Sequence, residues 1–436
     1  MNRRHFVKSS AAIGGTGLLL GSGPLQAMVH NSVNDVIKIA MIGCGGRATG
    51  AAIQALSTKQ NVQLVAMADA FPDRIDESVK AIKKEIEDSG LDKNKFAVTP
   101  DKMFSGFDAY KKVIPLCDVV IIATPPGFRP IHFKEAIAQN KHVFMEKPVA
   151  TDAVGVRSVL ETAQKAKDKK LNVVVGLQRH YQKVYQRWVE ALHEGAIGDI
   201  TASRVYWNDA GVWVKPRQPN QTEMEYQMRN WYYFVWLCGD HINEQHIHNL
   251  DVGNWVKQAY PINARGMGGR QTRTGKEYGE IFDHFAVEYE YADGSRMYSQ
   301  CRHSKGCLNM VTEQFDGTNG VAPKPGFIQT RKGFVLLKHD DKKDANPYQV
   351  EHDELFAAVA ANEYKFADAE NGAKATLTAI MGRMAAYSGQ LVEWDKALNS
   401  TINLQPNAYT WDTLPKTLPD KDGWYDIPMP GKTVAV

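Results

Sequence analysis

One short segment constrains this chain more than any other. Val36-Ile37-Lys38-Ile39-Ala40-Met41-Ile42 is an apolar run suited to a buried strand, and it passes directly into Gly43-Cys44-Gly45-Gly46-Arg47-Ala48. That junction fits G-x-G-x-x-G/A, and a helical pattern follows through Ala51, Ala52, Ile53, Ala55 and Leu56. Gly43 allows a tight turn, Gly45 lets backbone N–H groups approach a pyrophosphate, and Ala48 lets the helix pack close to the strand. The helix N-terminus adds partial positive charge.

An ordinary glycine turn produces the same short motif, so its surroundings decide. Val62-Gln63-Leu64-Val65-Ala66-Met67-Ala68 reads as a second strand ending at Asp69, 21 residues after Ala48. That is near the spacing of a carboxylate that accepts from a ribose 2′-hydroxyl. Val119 to Ala123 reads as a later buried strand ending in Thr124-Pro125-Pro126, and Lys141 to Met145 as another ending in Glu146-Lys147-Pro148. Strand and helix in alternation predict a doubly wound parallel sheet of α/β class that binds a dinucleotide. Asp69 repels a 2′-phosphate, so NAD is expected ahead of NADP. Arg47 and Arg74 soften that preference unless they are simply solvated surface arginines.

Length and composition set the outer limits. The 436 residues suit two or three domains, and 43% hydrophobic with 23% charged residues is ordinary for a globular protein. Cys44, Cys117, Cys238, Cys301 and Cys307 form neither a CxxC pair nor a disulfide framework. The net charge of +3 gives no nucleic-acid signal.

That charge has a local origin. Residues 1–27 hold three basic residues and no acidic one. Arg3-Arg4, Phe6 and Lys8, followed by an apolar stretch from Ala11 to Leu20, resemble a twin-arginine export signal, with cleavage expected after Ala27. Leu25 is not the small residue usual before such a site. The stretch is too short and glycine-rich to span a membrane. A periplasmic or otherwise exported protein is expected.

The ordered set Gly43-Cys44-Gly45-Gly46-Arg47, Asp69, Ala123-Thr124-Pro125, His132, Lys141-His142-Val143 and Glu146-Lys147-Pro148 resembles the glucose–fructose oxidoreductase/inositol dehydrogenase/MocA family. The resemblance implies a Rossmann domain, here residues 34–148. It also implies a second α+β domain, residues 149–436, with a large open, mostly antiparallel sheet used for homo-oligomer contacts. Gly43, Gly45, Gly46, Arg47, Asp69, Arg74, Thr124, Pro125, His132, Glu146 and Lys147 are the cofactor-facing candidates. By the same resemblance Lys147 stands beside the nicotinamide and the reacting carbinol. A lysine ammonium suits that place, because it stabilises negative charge developing on a hydroxyl oxygen.

The second domain's densest chemistry is Asp240-His241-Ile242-Asn243-Glu244-Gln245-His246-Ile247-His248-Asn249-Leu250-Asp251. On one continuous helix, Asp240, Glu244, His248 and Asp251 share a face. The family's acidic-x-x-x-His-x-x-Asp element matches Glu244, His248 and Asp251, which makes His248 the acid/base candidate. Glu244 stands where aspartate is usual. Three histidines here also raise a metal site, but the spacing is not H-E-x-x-H, and none is expected. Trp207, Trp213, Trp231 and Arg179 suit a sugar, through ring stacking and contacts to hydroxyls, and Arg179, Trp231 and Asp251 are the substrate-binding candidates, beside the catalytic candidates Lys147, His248 and Glu244.

These features lead to an NAD(P)-dependent oxidoreductase acting on a sugar, polyol or glycoside by hydride transfer. Export favours a nucleotide that stays bound and is regenerated in place. The alternatives are an NAD-dependent glycoside hydrolase, working by transient oxidation, elimination, water addition and re-reduction, and a non-catalytic sugar-binding protein.

Overall fold

The computed structural model describes residues 35–436. The export and cleavage reading therefore lies outside the described residues.

The first sheet has six parallel strands, β1 (Ile37–Ile42), β2 (Val62–Asp69), β3 (Met103–Ser105), β4 (Val119–Ile122), β5 (His142–Met145) and β6 (Val173–Val175), in the order β3-β2-β1-β4-β5-β6. Crossover helices cover both faces, so the central strands read as unbroken apolar runs; all four residues of β4 are fully buried. Each such side chain contributes about 1.5–3 kcal/mol by leaving water. The strand order reverses between β1 and β4, which opens a crevice at their carboxyl ends.

The boundary expected at residue 148 moves. Glu146-Lys147-Pro148 ends β5 but not the sheet: helix Ala153–Asp168 crosses back, and β6 pairs parallel with β5, its three valines buried. An all-valine strand of three residues has no meaning until a neighbour claims it, and here the neighbour is β5.

The second sheet has nine strands, β7 (Ile200–Asp209), β8 (Asn263–Gly269), β9 (His284–Glu290), β10 (Arg296–His303), β11 (Met310–Gly317), β12 (Gly320–Lys324), β13 (Phe327–Thr330), β14 (Val335–Lys338) and β15 (Val392–Glu393). The order is β14-β13-β12-β11-β7-β10-β9-β8-β15, antiparallel except between β7 and β10. The expected hairpin is β9–β10, with alternating burial along both strands. Helix Ala369–Ser388 packs against β8 and β9 and helix Ile247–Lys257 against β7, leaving the other face open. The fold is thus the expected pairing of a Rossmann domain with an α+β domain built on an open, mostly antiparallel sheet. Among the described residues no helix is long and apolar enough to cross a membrane.

The segment beyond residue 400 returns to the first domain. The Trp411 ring lies 5.1 Å from Phe71 and 4.6 Å from Phe107, and Tyr409 lies 5.2 Å from Phe128.

Candidate active site

A cavity of about 690 Å³ lies where the carboxyl ends of the parallel strands face the second domain. Gly43 follows β1 there, Asp69 ends β2, Thr124 and Pro125 follow β4, and Glu146 and Lys147 follow β5. All eleven cofactor-facing candidates are among its walls, as are Trp231, Glu244 and His248.

The glycine loop fits a dinucleotide. Gly43 has φ +91°, and a Cβ there would stand 2.8 Å from the Ala123 carbonyl oxygen, so only glycine lets β1 turn beside β4. Gly45 and Gly46 have open space where a Cβ would point. Helix Gly46–Leu56 starts with no side chain capping it, so its first turn is presented bare to the cavity.

At the far end the Asp69 carboxylate accepts from Cys44 N at 2.6 Å and Phe71 N at 2.9 Å. Burial raises its pKa and those two bonds counter the rise. Arg74 stands on the cavity wall, paired with Glu77. His132 hydrogen-bonds Thr124 Oγ1 at 3.2 Å, and burial lowers its pKa to about 3, so it is neutral.

Arg47 departs from the sequence reading as a solvated or 2′-phosphate-directed arginine. Its guanidinium bonds Glu146, reaches Glu351 at 3.2 Å and Gln54 at 3.0 Å, and lies 4.8 Å from the Tyr348 ring centroid. It is held between two buried carboxylates.

The candidate reaction residues meet at the opposite end. The Lys147 ammonium donates to the Glu244 carbonyl oxygen at 2.7 Å and lies 3.6 Å from Glu244 Oε1. Burial raises the Glu244 pKa, with Lys147 and Arg129 opposing. His248 is 5% exposed, stacked 6.0 Å from the Trp207 ring. Burial and the positive charges of Lys147, Arg179 and Arg47 push its pKa well below 6.5, so the imidazole is neutral. His248 Nδ1, Glu244 Oε2, Gln178 Oε1 and Arg129 Nε are buried without a hydrogen-bond partner among the described residues, and all four residues line the cavity.

Three sequence expectations need correction. The single helical face from Asp240 to Asp251 does not form: His241–Glu244 and Ile247–Lys257 are separate helices, and Asp240 caps the first. Asp240 turns inward to accept from His241 N, Phe282 N and the Tyr387 hydroxyl. Arg179 is not placed to contact a sugar; it is buried against Glu313, itself bonded by Tyr185 and Asn249. Asp251 is also off the cavity wall, 2.7 Å from His180 Nε2 and 3.0 Å from Asn371 Nδ2. In both cases a partner from a distant segment claims the charge.

Sequence reasoning missed Arg129, Gln178 and Tyr348. Arg129 opens the helix after β4 and bonds the Pro148 carbonyl, a place its position four residues after Pro125 hints at. Tyr348 lies some 300 residues from its partner Arg47, and no local signal points to it.

Comparison with known proteins agrees with this geometry. Residues 37–176 match the GFO_IDH_MocA family, described as "Oxidoreductase family, NAD-binding Rossmann fold". The chain is 27% identical over 267 residues to an inositol 2-dehydrogenase of Serratia proteamaculans, spanning 59% of this chain and 71% of that protein. It is 30% identical over 155 residues to a glycosyl hydrolase family 109 protein of Solibacter usitatus, spanning 34% and 33%. An aldose-aldose oxidoreductase from Caulobacter crescentus shares the fold, with TM-score 0.63 and 16% identity over 82% of this chain and all of that one. The chain thus carries the NAD-binding Rossmann domain of an oxidoreductase, matched over residues 37–176 by the GFO_IDH_MocA family.

Proposed function

We propose that the protein oxidises a hydroxyl of a sugar, polyol or glycoside through Lys147 and His248. One observation carries this reading: His248, Glu244, Gln178 and Arg129 each hold a buried polar atom without a partner among the described residues, and they line the same cavity as Lys147. An unpaired buried polar group costs about 1–3 kcal/mol. A ligand with several hydroxyls, each both donor and acceptor, satisfies such a set; an apolar ligand leaves it unsatisfied.

Bound NAD supplies the acceptor for the hydride that leaves the carbinol carbon. Lys147 donates a hydrogen bond to the carbinol oxygen and stabilises its growing negative charge. Neutral His248 takes the hydroxyl proton. Glu244 holds the Lys147 ammonium in place.

The second domain also closes on the cofactor. Arg229 bonds both oxygens of Asp73, at 2.6 and 2.8 Å, and its guanidinium carbon lies 3.7 Å from the Phe71 ring centroid. Phe71, Arg74 and Arg229 are cavity walls, so this bridge supports a nucleotide that is retained between turnovers. Retention suits the export reading of Arg3-Arg4, in which the folded protein carries its cofactor out.

A second reading has its own support in the likeness to the glycosyl hydrolase family 109 protein. The same residues would then oxidise a glycoside transiently before aglycone loss, water addition and re-reduction. The test is to add a panel of polyols, aldoses and aryl glycosides to NAD-loaded protein and follow reduced-nicotinamide absorbance and aglycone release together. Lasting reduction marks a dehydrogenase, and aglycone release without net reduction marks the hydrolase. Neither signal with any compound sinks both.

A further inference from the structure

The cavity mouth carries aromatic surface that the hydride chemistry does not use. Trp213 is 42% exposed yet forms part of the cavity wall. Its ring meets Trp231, also a wall residue, edge-on at 5.8 Å. An incidental surface tryptophan would ride on an unanchored loop. Here the backbone is held on both sides. The Tyr233 hydroxyl donates to the Trp213 carbonyl at 2.9 Å, and Lys215 N donates to Asn230 Oδ1 at 2.9 Å. Asn230 is itself fully buried. The turn into the segment is fixed as well: Gly211 has φ +96°, and a Cβ there would stand 1.9 Å from Arg273 Nη2. The exposed ring is therefore pre-positioned, which lowers the ordering cost of stacking a ligand on it.

We propose that Trp213 and Trp231 form an outer subsite that stacks a second, glycosidically linked sugar ring, while the ring to be oxidised sits at Lys147 and His248. A pyranose presents an apolar C–H face that matches an indole, and its hydroxyls stay in water at the mouth. The true substrate is then a glycoside or oligosaccharide rather than a free polyol. This rests on the carbohydrate reading of the inner site.

The test uses NAD-loaded full-length protein with two matched pairs, glucose with cellobiose and galactose with lactose. Tryptophan fluorescence reports binding and reduced-nicotinamide absorbance reports turnover. Trp213→Ala is expected to weaken disaccharide binding about 3–10-fold and to weaken monosaccharide binding far less. Trp213→Phe should restore most of the loss. Equal effects on mono- and disaccharides, or no effect on either, overturn the subsite. A failure of the inner reading looks different: the wild type gives no turnover signal with any sugar. Fluorescence then decides the subsite alone. A disaccharide-specific quench lost in Trp213→Ala upholds it, and no quench overturns it.

Discussion

The Lys147 ammonium donates to the Glu244 carbonyl oxygen at 2.7 Å and lies 3.6 Å from Glu244 Oε1, so one residue of the second domain holds the first domain's lysine through both backbone and side chain. The reaction site is therefore assembled only when the two domains meet. Lys147→Met removes the ammonium that stabilises the developing oxyanion. It should lower kcat/KM ~10²–10⁴-fold while leaving NAD affinity near wild type, as measured by titration calorimetry. Glu244→Gln keeps the carbonyl contact and should cost less. An equal loss in both variants would mean that the carboxylate, not the carbonyl, positions the lysine.

His248 provides the pH prediction. Burial and neighbouring cations depress its pKa well below 6.5, so it loses its proton-accepting form only at lower pH. The acid limb of kcat/KM should consequently fall below the ordinary histidine range rather than within it. His248→Gln should remove most activity at every pH. A limb centred at the ordinary histidine value would assign the base elsewhere.

Arg229 and Asp73 tie the second domain to the first beside the cavity that Asp69 lines. The hydrogen bonds from Arg229 hold the Asp73 carboxyl below its usual 3.8. A depressed carboxyl contributes stability above its unfolded pKa and loses it as pH falls through the folded value. The bridge should therefore stay closed through neutral and mildly acidic pH and open only in strong acid. Arg229→Ala should speed NAD loss on dialysis at neutral pH, read as nucleotide per protein after denaturation. Retention equal to wild type would show that the bridge does not hold the cofactor.

Asp69 is the residue expected to set cofactor choice. Its carboxylate stands on the cavity wall with one bond from each of Cys44 N and Phe71 N, and a 2′-phosphate would bring further negative charge against it. NAD should bind more tightly than NADP, and Asp69→Ser should narrow the gap mainly by improving NADP. If the wild type favours NADP, Arg74 rather than Asp69 governs this end.

The Rossmann half was legible because its signals are local. Each site residue there stands at the end of a strand whose apolar run announces it, so Gly43, Asp69, Thr124 and Lys147 could be placed from sequence alone. β6 was assigned to the wrong unit, since three valines do not say which sheet they join. The second domain was harder. Glu244 and His248 do line the cavity, although the helix expected through them breaks at Gln245 and His246. Arg179 and Asp251 were misread because Glu313 and His180, which bind them, lie far along the chain. Tyr348 was invisible for the same reason.

Lys147 and His248 are proposed to direct oxidation of a carbohydrate hydroxyl beside bound NAD. The most direct measurement is single-turnover absorbance of reduced nicotinamide, in NAD-loaded wild type and Lys147→Met, on adding sugars with protium or deuterium at the reacting carbon. A reduced-nicotinamide transient is expected in the wild type, slower with deuterium, and in Lys147→Met one slowed a further ~10²–10⁴-fold. A wild type that binds NAD and sugar but forms no reduced nicotinamide would contradict this role and leave a binding protein.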